Sequence, residues 1–171
     1  KRYTLRLLTT QQFQRAATLI CSLEIKRKLN SELLGDAPFT LGLWVGEASS
    51  PNKYTSEKNA GKGSFELYSD MLEEDKPENP FQLQQCPWCG TKIIPDTRTN
   101  DKADFGVRVT QTSFVFYCPS STCELHERIP VTVVDEDIYA NPPSFIIGTV
   151  DKFARLAWDQ RAAGLFGNRV L

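Results

Sequence analysis

The chain has 171 residues, enough for one core of ordinary size or one core plus a small module. Its formal charge of −1 excludes a uniformly basic nucleic-acid binder. No apolar run approaches membrane-spanning length, so a soluble, cytoplasmic chain without membrane contact is expected. The charge is unevenly placed. Residues 1–30 carry seven basic side chains against Glu24, and residues 151–171 carry four against two acids. Residues 65–80 carry six acids (Glu66, Asp70, Glu73, Glu74, Asp75 and Glu78) against Lys76. Basic ends flanking an acidic middle set a positive surface beside a negative one, or make up an ordinary solvated mixed surface.

Residues 4–8, Thr-Leu-Arg-Leu-Leu, predict a short buried strand of a parallel sheet. Thr9 or Thr10 then caps a helix expected over residues 11–34, whose apolar face is Phe13, Ala16, Ala17, Ile20 and Leu23. Cys21, alone on that helix, reads as an inert core thiol. Gly35 and Pro38 end the helix, and residues 40–45 predict a second strand closed by Gly46. Two apolar strands joined by a long helix make a βαβ unit, which gives an α/β fold with a parallel sheet. Residues 47–63 read as a polar loop. Residues 65–74 read as a short acidic helix with Leu67, Met71 and Leu72 facing inward, and residues 77–80 as a linker.

The cysteines follow. Cys86-Pro87-Trp88-Cys89-Gly90 and Cys118-Pro119-Ser120-Ser121-Thr122-Cys123 are two short pairs separated by a long spacer. Each pair sits on a turn that converges its sulfurs, and a folded spacer brings four thiolates to one tetrahedral metal, zinc by preference. Gly90 lets backbone amides swing toward the sulfurs. Disulfides are the plain alternative, but five cysteines is an odd number and no secretory signal is seen. A redox pair would want a thioredoxin-like βαβ context, which is not found. His126, the single histidine, lies three residues after Cys123, a legitimate ligand spacing. Four sulfurs already complete a structural site, so it is expected beside the site or exposed. Within the spacer, residues 105–110 and 113–117 predict strands, with a further one over 129–134. This is the layout of a β-rich zinc ribbon, expected as an insert over residues 81–134 between a first part, 1–80, and a return segment, 135–171.

In the return segment, residues 144–148 predict a third buried strand. Thr149 caps a helix over residues 151–161 with Phe153, Leu156 and Ala157 on its apolar face, and Gly164 and Gly167 break it. Two strand-to-helix turns result, Leu7 to Phe13 and Ile146 to Phe153. Each places hydroxyls and amides at the carboxyl edge of a parallel sheet, where they can receive phosphate or simply cap a helix.

Taken in order, these turns resemble motifs Ia and Ib of the superfamily 2 helicases, the RecA-like motors of the DEAD/DEAH type. Thr9, Thr10, Gln11, Gln12 and Phe13 stand where that family has Pro-Thr-Arg-Glu-Leu. Thr149, Lys152 and Phe153 match the Thr, Arg and Leu of its Thr-Pro-Gly-Arg-Leu, and Gly46 sits at its glycine turn. Gln11 lacks the arginine charge, and Val150-Asp151 replaces Pro-Gly. The run from Pro142 to Ala154 resembles a group of large bacterial helicase-like proteins that includes the helicase of the DISARM anti-phage system. The resemblance implies a partial RecA-like sheet with helices, interrupted by the zinc ribbon. It also implies that Thr9, Thr10, Gln11, Gly46, Thr149 and Lys152 contact the backbone of one nucleic-acid strand, DNA in the first instance.

The sequence contains no GxxxxGK[ST] loop and no DExH-type carboxylate pair. Asp135-Glu136-Asp137 precedes the Ib-like run, the wrong order for a magnesium site. The chain therefore reads as a piece between the two ATP-binding motifs of a longer helicase. No catalytic residue is expected within it, and ATP and magnesium would be bound only by the intact parent. Its partners would be single-stranded nucleic acid and the rest of the helicase chain. The rival reading is a zinc-ribbon interaction module that recruits a protein partner through the acidic face or the insert. A zinc hydrolase or deaminase fits poorly, because catalytic zinc keeps an open position and a deaminase needs an HxE.

Overall fold

No glycine or proline occurs before Gly35, so nothing in the first 34 residues interrupts a helix. The computed structural model describes residues 3–46, 49–58, 61–155 and 164–165, with the side chains of residues 3–10 and 155 outside that description. Helix α1 runs over Tyr3–Leu29, followed by one turn, α2, at Ser31–Leu34. The strand expected over residues 4–8 is therefore helical. Leucine and arginine are good helix formers, and a short apolar run carries no period of its own that favours a strand. Thr9, Thr10 and Gln11 thus lie inside α1 rather than on a strand-to-helix turn.

The end of α1 is tied to the start of the sheet. Buried Glu24 accepts two hydrogen bonds from the Arg27 guanidinium, each 2.8 Å, and one from the Phe39 amide, 3.0 Å. Arg27 also donates to the Gly35 carbonyl. Strand β1 follows at Leu41–Trp44, and all four of its residues are buried.

Helix α3 spans Ser64–Glu73. The cysteine-bearing segment holds the antiparallel hairpin β2 (Val107–Thr110) and β3 (Ser113–Phe116), preceded by a 3-10 turn at Lys102–Asp104. Then come β4 (Val131–Thr132), α4 (Asp135–Ala140), β5 (Phe145–Gly148) and α5 (Val150–Arg155). The rest of the helix expected to residue 161 lies outside the described residues.

The main sheet is parallel, in the order β4-β1-β5. An all-apolar strand such as β1 needs a neighbour on each side and cover on each face. Expected within the insert, the run over 129–134 supplies one of those neighbours through Val131 and Thr132. On one face, Leu41 and Leu43 join a continuous core with Phe13, Ala17, Ile20 and Cys21 of α1. On the other, Trp44 meets Tyr139 of α4 and Phe153 of α5 edge-on, at 6.1 and 5.5 Å. Gly42 lies beneath α4, and a Cβ there would come within 2.7 Å of the Pro143 ring.

The cysteine segment shares the α1 core rather than forming one of its own. Leu83, Ile93, Phe105, Phe114, Phe116, Leu125 and Ile129 are buried in the same cluster as Phe13 and Leu41. The loop before α3 is also secured: Ser50 donates to the Val133 carbonyl, Tyr54 N–H to Glu136, and Glu136 N–H to the Asn52 carbonyl.

Candidate metal centre

Each cysteine pair is shaped by its own backbone. In the first turn the Cys86 N–H donates to the Thr91 carbonyl at 2.7 Å, and the Gly90 N–H returns to the Cys86 carbonyl at 3.0 Å. Gly90 holds φ at 78°, a left-handed conformation that glycine takes without strain. In the second turn the Cys118 N–H donates to the Leu125 carbonyl, the Cys123 N–H to Ser120 and the His126 N–H to Cys123. The two turns are joined through Gly106, whose N–H meets the Ile93 carbonyl and whose carbonyl accepts from Tyr117. A Cβ at Gly106 would lie 2.6 Å from the Tyr117 carbonyl oxygen, so this crossing requires glycine.

The result brings Cys86, Cys89, Cys118 and Cys123 together, with all four sulfurs within 4.8 Å of one another. Cys86 and Cys123 sulfurs are 3.8 Å apart, and Cys89 and Cys118 sulfurs 3.4 Å. A tetrahedral metal with bonds of about 2.3 Å to sulfur sets its ligands roughly 3.8 Å apart, so the arrangement fits a four-thiolate ion. Cys86 and Cys118 are buried, Cys123 is half-buried and Cys89 faces solvent.

Donors surround the sulfurs, as a thiolate site requires. The Leu125 N–H points at Cys123 Sγ at 3.4 Å, and the Thr91 hydroxyl lies 3.1 Å from Cys89 Sγ. Burial alone would raise the Cys89 thiol, but the Thr91 hydroxyl and amide outweigh it and bring it down to about 6. Burial raises Cys118 and pushes Cys123 up to about 11. His126 does not join the sulfurs. Its Nδ1 sits 2.8 Å from the Cys118 carbonyl oxygen and its ring packs edge-on against Tyr117, so it braces the second turn. Cys21 is buried in the core beside this centre, and burial first, then Cys86 and Cys123, push its thiol up to about 12. A thiol so far up stays protonated and inert.

The residues expected to hold a nucleic-acid strand are placed differently. Thr149 lies at the carboxyl edge of the sheet, where its N–H donates to the Trp44 carbonyl at 3.1 Å, and Gly46 follows β1 by two residues. The Thr149 hydroxyl has no partner there. Lys152 follows on α5, but it is buried. Its ammonium pairs with the Asp135 carboxylate, donates to Asn52 Oδ1 at 3.0 Å and lies 5.9 Å from the Trp44 ring centre. That cation is committed inside the fold, which corrects its expected outward role. In the sequence Asp135 reads only as part of an acidic run and Asn52 as part of a polar loop, because neither lies near Lys152 in the chain.

The fold and site define a parallel α/β unit with a built-in cluster of four cysteines that could hold a metal ion. The chain is 36% identical over 172 aligned positions, covering 97% of its length, to the DISARM protein DrmA of Bacillus paralicheniformis, and is related to it in sequence. It spans 14% of that protein. No family model matches the chain. Among the described residues, no helix is long and apolar enough to cross a membrane.

Proposed function

We propose that this chain is part of an ATP-dependent nucleic-acid motor acting in anti-phage defence, and that it carries a structural zinc ribbon. The observation that carries the reading is the likeness to DISARM protein DrmA along nearly the whole chain. The parallel sheet supports it, because motor lobes of the RecA type are built on such sheets. Four converging cysteines support zinc: an all-sulfur tetrahedral set suits zinc and leaves no open position for chemistry. Bound zinc would offset two of the four thiolate charges and lock the two turns together. The chain's part is mechanical: the centre fixes residues 81–129 onto α1, and the sheet edge meets the strand.

The contact with nucleic acid is narrower than the sequence resemblance implies. Lys152 is occupied by Asp135, and Thr9, Thr10 and Gln11 belong to α1. The turns at Gly46 and Thr149 remain, but the Thr149 hydroxyl is buried and the Thr149 N–H and Gly46 carbonyl are bonded within the fold, so a phosphate contact there would use the other backbone groups of these turns. Such a contact reads no sequence, and ATP would be bound and hydrolysed elsewhere in the longer polypeptide.

The test is single-strand binding by the full-length protein over a salt series, with ATP hydrolysis measured beside it. Strand-stimulated hydrolysis and binding that weakens steeply with salt are expected. Absence of both rejects the motor reading. The second reading, a protein-interaction module, is favoured by one observation: Asp70, Glu73, Glu74, Asp75 and Glu78 are all exposed. Salt-sensitive capture of a basic protein by this chain, with no strand binding, decides for it.

A further inference from the structure

The two edges of the main sheet are treated differently. At the β4 edge the cysteine segment closes in, since the Ile129 N–H donates to the Phe116 carbonyl of β3 at 2.8 Å. At the other edge β5 has β1 on one side, and no strand among the described residues on the other. Yet Phe145-Ile146-Ile147-Gly148 reads as an interior strand, as apolar as β1. Whereas Leu41 of β1 is fully buried, its register partner Phe145 is 51% exposed. The apolar exposure continues past the strand at Val150, 78%, and Phe153, 46%.

Sheets blunt true edges with charge, proline within the strand, or bulges. None of these devices occurs here: residues 142–150 carry no charge, and the four residues of β5 pair with β1 in unbroken register. The backbone shows which groups are offered. The Phe145 N–H donates to Thr40 and the Thr149 N–H to Trp44, both on the β1 side. The two-residue period of a strand turns the N–H groups of Ile146 and Gly148 the other way.

We infer that this edge is an interface completed by a further strand of the same, longer polypeptide, bonded to the Ile146 and Gly148 backbone groups and covering Phe145. The related DISARM protein is long enough to supply it, since the matched segment is 14% of its length. An uncharged, apolar edge in unbroken register suits a permanent neighbour within one chain. A partner that came and went would leave it exposed to aggregation. The inference rests on reading the chain as part of a longer protein, but it involves neither nucleic acid nor ATP, so the two can fail separately.

The test is residue-resolved amide hydrogen exchange on the full-length protein. Ile146 and Gly148 amides are expected to be protected at least about a thousandfold, like the inward-facing Ile147 amide and at the level of a core strand. Exchange of Ile146 and Gly148 at open-amide rates, with Ile147 still protected, overturns the inference. Sedimentation supplies the second check. A concentration-dependent dimer that Ile146→Pro dissolves would give the edge to a second copy and overturn it as well.

Discussion

Lys152→Ala separates an interior ion pair from a phosphate-gripping lysine. The substitution removes the cation from Asp135 while both side chains are nearly out of water, at 6% and 7% exposure. It also removes the hydrogen bond to Asn52 and the ammonium near Trp44. Leaving one member of a buried pair without its counter-charge costs about 3–5 kcal/mol. Asp135 begins α4, whose first amides favour a carboxylate by up to about 1 kcal/mol, so the expected net loss is about 2–4 kcal/mol. With a urea slope of about 2 kcal/mol per molar, the unfolding midpoint should fall by roughly 1–2 M. Combining Lys152→Met with Asp135→Asn should recover most of that loss, because no unpaired charge is then buried. Urea denaturation followed by circular dichroism gives the midpoints, and strand binding over a salt series is measured on the same variants. A midpoint shift under about 0.3 M, together with a salt slope reduced by about one, would refute the reasoning and return Lys152 to the surface as a phosphate contact.

Further outcomes follow from the metal centre, the α1 clamp and the glycine crossing. Elemental analysis should find one zinc per chain, and Cys118→Ser should bring this below half an equivalent and expose the core shared with α1, whereas Cys21→Ser should leave the metal content unchanged. Retention of a full equivalent by Cys118→Ser would remove that sulfur from the ligand set. Glu24 is held below its ordinary value of 4.5, first by the hydrogen bonds from Arg27 and then by the Phe39 amide. Its folded value lies below the unfolded one, so its contribution is fully present above pH 4.5 and is lost as pH falls through the folded value. Glu24→Gln should therefore lower stability at neutral pH and flatten its fall in acid, measured as urea midpoints from pH 7 to 3. An acid profile identical to that of the unsubstituted chain would show that the clamp is not formed. Gly106→Ala forces a methyl group to within 2.6 Å of a backbone oxygen. It should cost about 1–3 kcal/mol, and an unchanged thermal midpoint would rule out the crossing.

What could be read in the sequence was chemistry held in short spans. Two cysteine pairs name their own ligand set, because spacing on a turn fixes where sulfurs point, and the four sulfurs do converge. Residues 40–45 and 144–148 are apolar runs bounded by turn residues, and both are strands of the parallel sheet. The hairpin at β2 and β3 and the helix α3 were visible for the same reason. Tertiary structure decided the rest. Residues 4–8 are apolar in a way that suits strand or helix, and in the fold they extend α1. Val131 and Thr132 read as part of the cysteine insert, yet β1 takes them as its neighbour. The cysteine segment drew its core from α1, which no local pattern announces. Lys152 reads as a surface cation because lysine is costly to bury. Only the fold brings Asp135 and Asn52 to it, from 17 and 100 residues away. A charge can leave water where a counter-charge waits, and whether one waits is a matter of long-range contact that the neighbouring sequence does not encode.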